Sequence, residues 1–378
     1  MIFYDFEVFK EDWLAVFIDV TKKKEYVIIN NPDELKALYE ANSKDIWVGY
    51  NNRHYDQYIM KGILLGMNPK RINDWIIVEK KEGWQFSSAF NKVPMINYDV
   101  MPNPPVGLKT LEGFLGSNIK ETDVDFRINR KLTKEEIEMT VFYCRHDVEE
   151  TIKVFLEKID EFNAMHGIIQ AFPDIVNLSD IGDSEARITA KVLGCSRRSF
   201  EDEFDFYFLP CLQLKKYKYV QDWFEQKRQE ALSMDLAHMD KYSKRTWYKE
   251  QGLETVVAGI PHSFGFGGVH GATATPIHKT GQLLHVDVNN YYPSMLIAWG
   301  LVTRAATNDN YPLVYNTRKA MKEKQIAAKN AGNKKEVKRW KKAQLPYKKM
   351  LNALSGAMKD ETNAAYDPRN NNCMCING

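Results

Sequence analysis

Acidic side chains near the start of the chain have a spacing that suits a divalent metal ion. Asp5 and Glu7 lie two residues apart in IFYDFEV, a stretch with the composition of a β-strand, so both would point to one face of it. Their neighbours Tyr4 and Phe6 would then face a hydrophobic core. Two carboxylates on one rigid strand are suitable ligands for Mg²⁺ or Mn²⁺. A solvated strand face is the alternative interpretation of this pair taken alone.

Further acids follow at positions from which they could join this pair. Asp56 comes soon after a predicted strand, in GYNNRHYD, and Asn51 lies five residues before it. Tyr143 and Asp147 are four residues apart in a predicted helix, so they share one of its faces. Asp147 taken alone could be a surface residue of the charged stretch RHDVEE. We interpret Asp99, in NYDVM, as an acid outside the metal-binding set.

The surrounding sequence predicts elements that would position these acids. Short segments rich in β-branched and aromatic residues indicate four strands, namely IFYDFEV, WLAVFIDV, EYVIIN and IWVGYN. Asn31 and Pro32 suit the N-cap and first position of a helix, and a second helix is predicted over residues 54–66. Thr133 and Glu136 form a capping box before an apolar stripe of helical period. Strands and helices mixed in this way indicate an α/β domain.

A separate acid, Asp287, lies at the end of GQLLHVDV, which has the composition of a strand. Tyr291, Tyr292 and Pro293 follow it closely. A carboxylate that binds a catalytic metal usually has a partner, and this one has no acidic neighbour within the same stretch. A strand that ends in an aromatic turn is the alternative interpretation.

Positive charge is concentrated in one part of the chain. The formal net charge is only +2, yet thirteen Lys or Arg and two Glu lie between Arg318 and Lys349. Two helices around Gly332 are predicted there, as a long basic hairpin. Such a segment on an otherwise acidic protein indicates a polyanionic partner, with a solvated helical face as the alternative.

The acidic motifs, taken in order, resemble those of a known enzyme family. They are D-x-E, N-x-x-x-Y-D and Y-x-x-x-D, within residues 1–160. This order resembles the exonuclease motifs of the DEDD nucleases, in the tyrosine variant found in proofreading domains of family B DNA polymerases. The intervening VGLKTLEGFLGSNIKE and EEIEMTVFYCRHDVEET are similar to bacteriophage members of that family. The resemblance implies an RNase H-like fold and a 3′→5′ exonuclease.

The same resemblance implies a role for each residue of the motifs. The exonuclease would use two Mg²⁺ or Mn²⁺ ions, and their ligands would be Asp5, Glu7, Asp56 and Asp147. Tyr143 would orient the attacking water, and Asn51 would position the terminal nucleotide.

The stretch DVNNYYPS resembles motif A of family B polymerases, D-x-x-S-L-Y-P-S, and departs from it at Asn290 and Tyr291. The resemblance implies that Asp287 binds the catalytic metals. It also implies that Tyr292 packs against the sugar of the incoming dNTP and excludes a 2′-hydroxyl.

The basic segment contains a second polymerase resemblance. KKMLNALSG is similar to motif B, K-x-x-x-N-S-x-Y-G, with Ala353 and Ser355 in place of the usual Ser and Tyr. By this resemblance the triphosphate of a dNTP would be bound by Arg318, Lys322, Lys348 and Asn352. Gly267 and Gly268 resemble a glycine-rich element that contacts the template backbone, although its tyrosine is missing because Gly265 takes that register.

The expected organisation follows from these motifs. We predict an RNase H-like exonuclease domain, a connecting region with the glycine-rich element, the first part of a palm, a helical-hairpin fingers and a return toward the palm, over residues 1–165, 166–280, 281–316, 317–362 and 363–378. No D-T-D or similar pair follows Gly356. The polymerase site is therefore expected to be incomplete, and polymerisation would need a C-terminal portion or a partner polypeptide. A free-standing exonuclease and a non-catalytic DNA-binding subunit are the alternatives.

The composition of the sequence indicates where the protein is expected to be located. The N-terminal sequence has no features of a signal peptide, and no apolar run is long enough for a transmembrane helix. Five cysteines, few and odd in number, indicate reduced thiols. We expect a cytoplasmic protein, in the host cell if it is encoded by a phage, that does not associate with membranes. Its expected partners are primer-template DNA, single-stranded 3′ ends and dNTPs.

Overall fold

The computed structural model describes residues 1–117, 119, 124–278 and 280–378. The chain forms two compact units, Met1–Asp183 and Ser184–Gly378, and each has a mixed content of helices and strands. In the first unit, a five-stranded sheet has the order β3-β2-β1-β4-β5. Its strands are β1 Ile2–Val8, β2 Trp13–Asp19, β3 Lys24–Ile29, β4 Ile46–Gly49 and β5 Ile96–Asp99.

The sheet is mixed in direction. Strands β1 and β2 are antiparallel, as are β2 and β3, whereas β4 is parallel to both β1 and β5. The four strands predicted from the sequence all form, and β5 was not anticipated. Within β1, Tyr4 and Phe6 join the hydrophobic core on one face of the sheet. On the other face, Phe3 packs edge-on against Phe155, with ring centroids 5.3 Å apart. The alternation of β1 therefore places Asp5 and Glu7 on the second face.

Helices surround this sheet, and their ends have the predicted caps. They are α1 Pro32–Ala41, α2 Asp56–Leu64, α3 Pro69–Asn73, α4 Leu108–Leu115, α5 Lys134–Glu157 and α6 Ile159–Ala171. The Asn31 side chain accepts a hydrogen bond from the Glu34 amide at the start of α1. Thr133 and Glu136 form the expected reciprocal capping box, with bonds of 2.7 and 3.2 Å. Residues 118, 120 and 121 of the stretch VGLKTLEGFLGSNIKE lie outside the described residues.

The second unit has a small antiparallel sheet and eight described helices. The sheet has the order β6-β7-β8, from the strands Leu253–Val257, Ile260–Gly265 and Gly268–Gly271. The helices are α7 Glu185–Val192, α8 Lys218–Ser233, α9 Lys241–Glu250, α10 Tyr291–Ala298, α11 Asn310–Asn330, α12 Lys334–Ala343, α13 Leu345–Lys359 and α14 Pro368–Asn377. The glycine-rich element thus forms the β7–β8 hairpin, where Gly268 has a φ of +123° that favours glycine.

Two local predictions in this unit differ from the structure. The strand predicted for GQLLHVDV is wrong: residues 281–288 have no regular structure, and Leu283 and Leu284 are 95% and 86% exposed. A strand needs a neighbour for its backbone hydrogen bonds, and none of the described strands pairs with this segment. The basic hairpin turns at Gly332 as predicted, but its second arm is interrupted at Gln344. The break precedes Pro346, which has no amide hydrogen for a continuous helix.

A cluster of charged residues around the buried Asp367 fixes α14 in the second unit. Asp367 is fully buried and accepts from both the backbone amide of Arg304, at 2.7 Å, and its guanidinium, at 2.6 Å. The same guanidinium donates to Asp202 at 2.6 Å. Asp367 also caps α14 by accepting from the Asn370 amide. This network joins three chain segments that are far apart in sequence.

In the described part of the chain, no helix combines the length and apolar character needed to cross a membrane.

Candidate metal site

Three elements of the first unit bring the predicted acids together. Asp5 and Glu7 are half-buried on β1, and Asp56 is the first residue of α2, only 3% exposed. Asp56 Oδ1 accepts a 3.1 Å hydrogen bond from the backbone amide of Phe6, which lies between Asp5 and Glu7. The start of α2 is thereby fixed to the centre of the strand that carries the first two carboxylates.

The turn before α2 is held by Asp99, an acid that was not expected among the metal ligands. Asn51 has a φ of +57°, and its backbone N–H donates a hydrogen bond of 2.9 Å to Asp99 Oδ1. The amides of Arg53 and Met101 also donate to the Asp99 carboxylate. Asp99 therefore orders the loop that carries Asn51.

Helix α5 supplies the remaining groups. The Cys144 thiol is fully buried, and its Sγ lies 3.6 Å from Asp5 Oδ2. The potential ligand atoms of Asp5, Glu7 and Cys144 all lie within 4.8 Å of one another. Asp147 is on the same helix, and its charge is close enough to raise the pKa values of Asp5 and Glu7. Tyr143 is half-buried one turn before Asp147, with its ring centroid 5.5 Å from that of Phe142.

The carboxylates of this cluster repel one another. Burial, together with the charge of Asp147, raises the pKa of Asp5 from its ordinary 3.8 to about 7. Burial and the charge of Asp5 raise the pKa of Glu7 well above its usual range, and they do the same for Asp56. Like charges in a partly desolvated site favour the protonated form. A bound divalent cation would neutralise the charge of these carboxylates and so favour their deprotonated form.

Sequence reasoning missed the cation beside Asp147. Lys109 on α4 donates to Asp147 Oδ1, and its Nζ lies 3.2 Å from Glu112 Oε1. Burial lowers the pKa of Lys109, but the bonds to Asp147 and Glu112 outweigh this and raise it above its usual value. His146 Nε2 lies 3.6 Å from Glu112 Oε2. The three-residue spacing of Lys109 and Glu112 was visible in the sequence, but nothing there indicated that α4 packs against α5.

The chemistry of these groups fits a hard divalent cation. Carboxylate oxygens predominate among them, and oxygen ligands suit Mg²⁺ and Mn²⁺. Among the described residues, two separate groups could hold an ion: one is Asp5, Glu7 and Cys144, and the other is Glu112, His146 and Asp147. The Lys109 ammonium already lies beside the second group, so the first group, with Asp56 adjacent, is the better place for a cation.

The residues predicted to bind a nucleotide lie on α11 and α13 of the second unit. Arg318 on α11 is 8% exposed and donates to Asn290 Oδ1, immediately before α10. Tyr311 on α11 donates to the Leu351 carbonyl at 2.9 Å, which joins α11 to α13. Lys322 is half-buried on α11, while Lys348 and Asn352 are exposed one turn apart on α13. Helix α11 is thus bonded to the residue before α10 through Arg318 and to α13 through Tyr311.

The two tyrosines that follow Asp287 lie in a helix, whereas Asp287 itself lies in an irregular segment. Asp287 is exposed within the irregular segment 281–288. Tyr291 and Tyr292 begin α10 and line a cavity of about 280 Å³, which also contacts Phe224 and Gly268. Gly267 is exposed in the β7–β8 turn. The structure therefore places the glycine-rich hairpin near the two tyrosines and leaves Asp287 outside any described strand.

A scan against models of known protein families and a search of curated proteins each found no match. The arrangement of the chain's own residues is therefore the basis for its function, and the carboxylate cluster of the first unit is the most complete arrangement described.

Mg²⁺ is expected to stabilise the protein more at pH 8 than at pH 5.5. Because the folded-state pKa of Asp5 is raised to about 7, the metal-free fold loses stability as the pH rises from about 4 through 7. Cations bind the deprotonated form and offset that loss. Thermal unfolding with Mg²⁺ or EDTA at each pH measures the difference.

The Asp5→Asn variant provides the matched comparison for this pH effect. It should stabilise the metal-free protein at pH 8 by about 0.5–2 kcal/mol and remove most of the gain from Mg²⁺. Exposed Glu149 on α5 is the control position, where Glu149→Gln should change neither quantity. Equal Mg²⁺ effects at both pH values would show that Asp5 does not titrate as described.

Proposed function

We propose that the first unit is a metal-dependent 3′→5′ exonuclease that acts on single-stranded DNA 3′ ends. The observation that carries this proposal is the convergence of Asp5, Glu7 and Asp56 at one end of α2, with Asp147 contributing from α5. Their mutual repulsion is a property expected of carboxylates that bind cations. The ordered motif resemblance supplies the reaction class.

The residues of the cluster have separate tasks in this reaction. Asp5, Glu7, Asp56 and Asp147 would hold two Mg²⁺ or Mn²⁺ ions. When bound, these ions supply a water of lowered pKa and neutralise charge on the leaving 3′ oxygen. Asp56 is held in place by the Phe6 amide. Tyr143 would orient the attacking water from α5, and Asn51 would position the terminal nucleotide from a loop that Asp99 orders.

The sheet of the first unit supports an RNase H-like domain. Its order β3-β2-β1-β4-β5, with β2 antiparallel to both neighbours and β1 parallel to β4, is compatible with that fold. In this arrangement the central strand β1 carries the first two acids, and α5 covers the face to which they point. The position of the acids on the central strand agrees with the proposed activity.

The direction of cleavage tests this proposal. A single-stranded oligonucleotide labelled at its 5′ end should shorten stepwise in Mg²⁺, and EDTA should stop the reaction. The same oligonucleotide blocked by a 3′-terminal phosphorothioate should be shortened much more slowly. Internal cleavage, or shortening only from the 5′ end, would contradict the proposed polarity.

We further propose that the second unit contributes part of a family B polymerase site for primer-template DNA and dNTPs. Arg318 and Lys322 on α11, with Lys348 and Asn352 on α13, would bind the triphosphate. Tyr292 would contact the sugar, Asp287 would bind metal, and the turn at Gly267 and Gly268 would contact the template. The link between Arg318 and Asn290 supports this proposal because it brings the basic helix to the motif that contains Asp287.

The purified chain alone is not expected to extend primers. Two-metal phosphoryl transfer uses more than one acidic ligand, and no D-T-D pair follows Gly356 in this sequence to join Asp287. We therefore expect no detectable incorporation on a primed template with dNTPs and Mg²⁺, whereas a partner polypeptide with the missing motif should restore it. Template-directed extension by the chain alone would contradict this expectation, and extension that is unchanged in Asp287→Ala would also contradict the assignment of Asp287.

The exposed, irregular position of Asp287 favours one alternative, a free-standing exonuclease whose second unit only holds DNA. Thirteen cations between Arg318 and Lys349 could serve that purpose through phosphate contacts. In that case no partner would restore extension, and charge reversal on α12 would weaken DNA binding without changing the intrinsic cleavage rate.

A further inference from the structure

Glu112 is a fully buried carboxylate beside the proposed metal site. Its ion-pair partner among the described residues is Lys109, with Nζ 3.2 Å from Oε1, and the His146 ring lies nearby, with Nε2 3.6 Å from Oε2. An unpaired carboxylate at such a position would be costly, because the protein does not replace the water that solvates it. Glu112 is therefore closely associated with the Lys109 ammonium.

The Lys109 ammonium is shared by two carboxylates of different exposure. It donates to Asp147 Oδ1, whose side chain is 25% exposed, and it also contacts Glu112, whose side chain is 0% exposed. Lys109 lies one helical turn before Glu112 on α4, while Asp147 approaches from α5. Because an ammonium has three hydrogens, it can bind both carboxylates at once.

A divalent cation at Asp147 must compete with this ammonium. Both are attracted to the same carboxylate, and their like charges repel each other. Glu112 offers the ammonium a second partner within reach, in surroundings where the attraction is screened little by water. The lysine can therefore give up Asp147 and still keep a carboxylate partner.

We propose that Glu112 is a positioning residue that retains the Lys109 ammonium when a divalent cation binds Asp147. The proposal rests on the proposed metal-dependent function of the cluster. Glu112 acts through Lys109 and does not itself bind the cation. Without Glu112, Asp147 would be the only described carboxylate paired with Lys109, and the ammonium would compete more strongly with the cation.

Direct binding of Mn²⁺, measured by electron paramagnetic resonance without DNA, tests this role independently of activity. We expect Glu112→Gln to weaken Mn²⁺ affinity about 10-fold, as is common when a group that orients a metal ligand is removed. In a Lys109→Met background the same substitution should change the affinity less than about 2-fold, because the competing ammonium is absent. Equal losses in both backgrounds would overturn the proposal, since Glu112 would then act only as a nearby negative charge.

A matched control separates this role from a loss of buried charge in general. Glu150 on α5 is 1% exposed and pairs with Lys153 at 2.5 Å. The two residues are three positions apart, as Lys109 and Glu112 are. Glu150→Gln should leave Mn²⁺ affinity unchanged, and an equal loss there would overturn the proposal. If Glu112→Gln does not fold, Glu112→Asp keeps the charge but shortens the reach, and it should lower the affinity by a smaller factor.

The same titration distinguishes the failure of this role from the failure of the metal site. Wild-type affinity in Glu112→Gln, together with normal Mn²⁺ binding by the wild-type chain, would overturn the role of Glu112 alone. A wild-type chain that binds no Mn²⁺ would overturn the metal site and the role of Glu112 together.

Discussion

Asp147→Ala is expected to slow Mg²⁺-dependent removal of 3′ nucleotides at least about 1,000-fold. Cations in such a site contribute several kcal/mol of transition-state stabilisation, and each 1.36 kcal/mol corresponds to a tenfold change in rate. The substitution removes a metal ligand and also releases Lys109, which donates to Asp147 in the structure. Single-turnover cleavage of single-stranded DNA at saturating enzyme measures the loss without a contribution from binding.

This interpretation requires that the Asp147→Ala variant folds like the wild-type chain and still binds DNA. The half-buried position of the side chain makes a folded variant the expected result, and circular dichroism checks it. Glu149→Gln, two residues away and exposed on the same helix, should cleave at the wild-type rate. A folded Asp147→Ala protein that retains more than a tenth of the wild-type rate would exclude Asp147 as a metal ligand.

Arg304→Ala is expected to destabilise the second unit by about 3–5 kcal/mol. The substitution leaves Asp367 fully buried without its guanidinium partner, and breaking one side of a buried ion pair has a cost of this size. It also removes the bond to Asp202, which ties a distant segment to α14. Urea unfolding followed by tryptophan fluorescence measures the change in the free energy of unfolding.

An exposed ion pair is the control for Arg304. Arg339 pairs with Glu336 within α12 at 3.3 Å, and its side chain is 67% exposed. Arg339→Ala should cost less than about 1 kcal/mol, because water screens such pairs. A loss at Arg304 no larger than that at Arg339 would show that the Asp367 cluster is not a major source of stability.

Local sequence patterns predicted β1 and the start of α5, because both depend on residues that are close together in the sequence. The alternation around Tyr4 and Phe6 gave β1 and the face of Asp5 correctly, because a strand with one buried face has a period of two. The capping box at Thr133 gave the start of α5 correctly, because its hydrogen bonds lie within four residues. Three of the four carboxylates were therefore predicted on the correct elements. Asp5 and Glu7 lie on β1, and Asp147 lies on α5.

The features that the sequence did not reveal depend on contacts between distant segments. The bond from Lys109 to Asp147 spans 38 residues and requires α4 to pack against α5, which no local pattern indicated. The expected strand around Asp287 has suitable residue types, but none of the described strands pairs with it, so its apolar side chains stay exposed. Composition predicted a strand there, whereas strand formation depends on a neighbour.

The most direct test of the carboxylate site is single-turnover degradation of a 5′-labelled single-stranded DNA by the wild-type chain and by Asp5→Asn, prepared identically and assayed in Mg²⁺. Asn keeps the size of the side chain and removes the charge that a cation would bind. The wild-type chain should produce a ladder that shortens from the 3′ end, and Asp5→Asn should be at least about 1,000-fold slower. Equal rates for the two proteins, or cleavage that persists in EDTA, would contradict the assignment of this cluster as a metal-dependent exonuclease site.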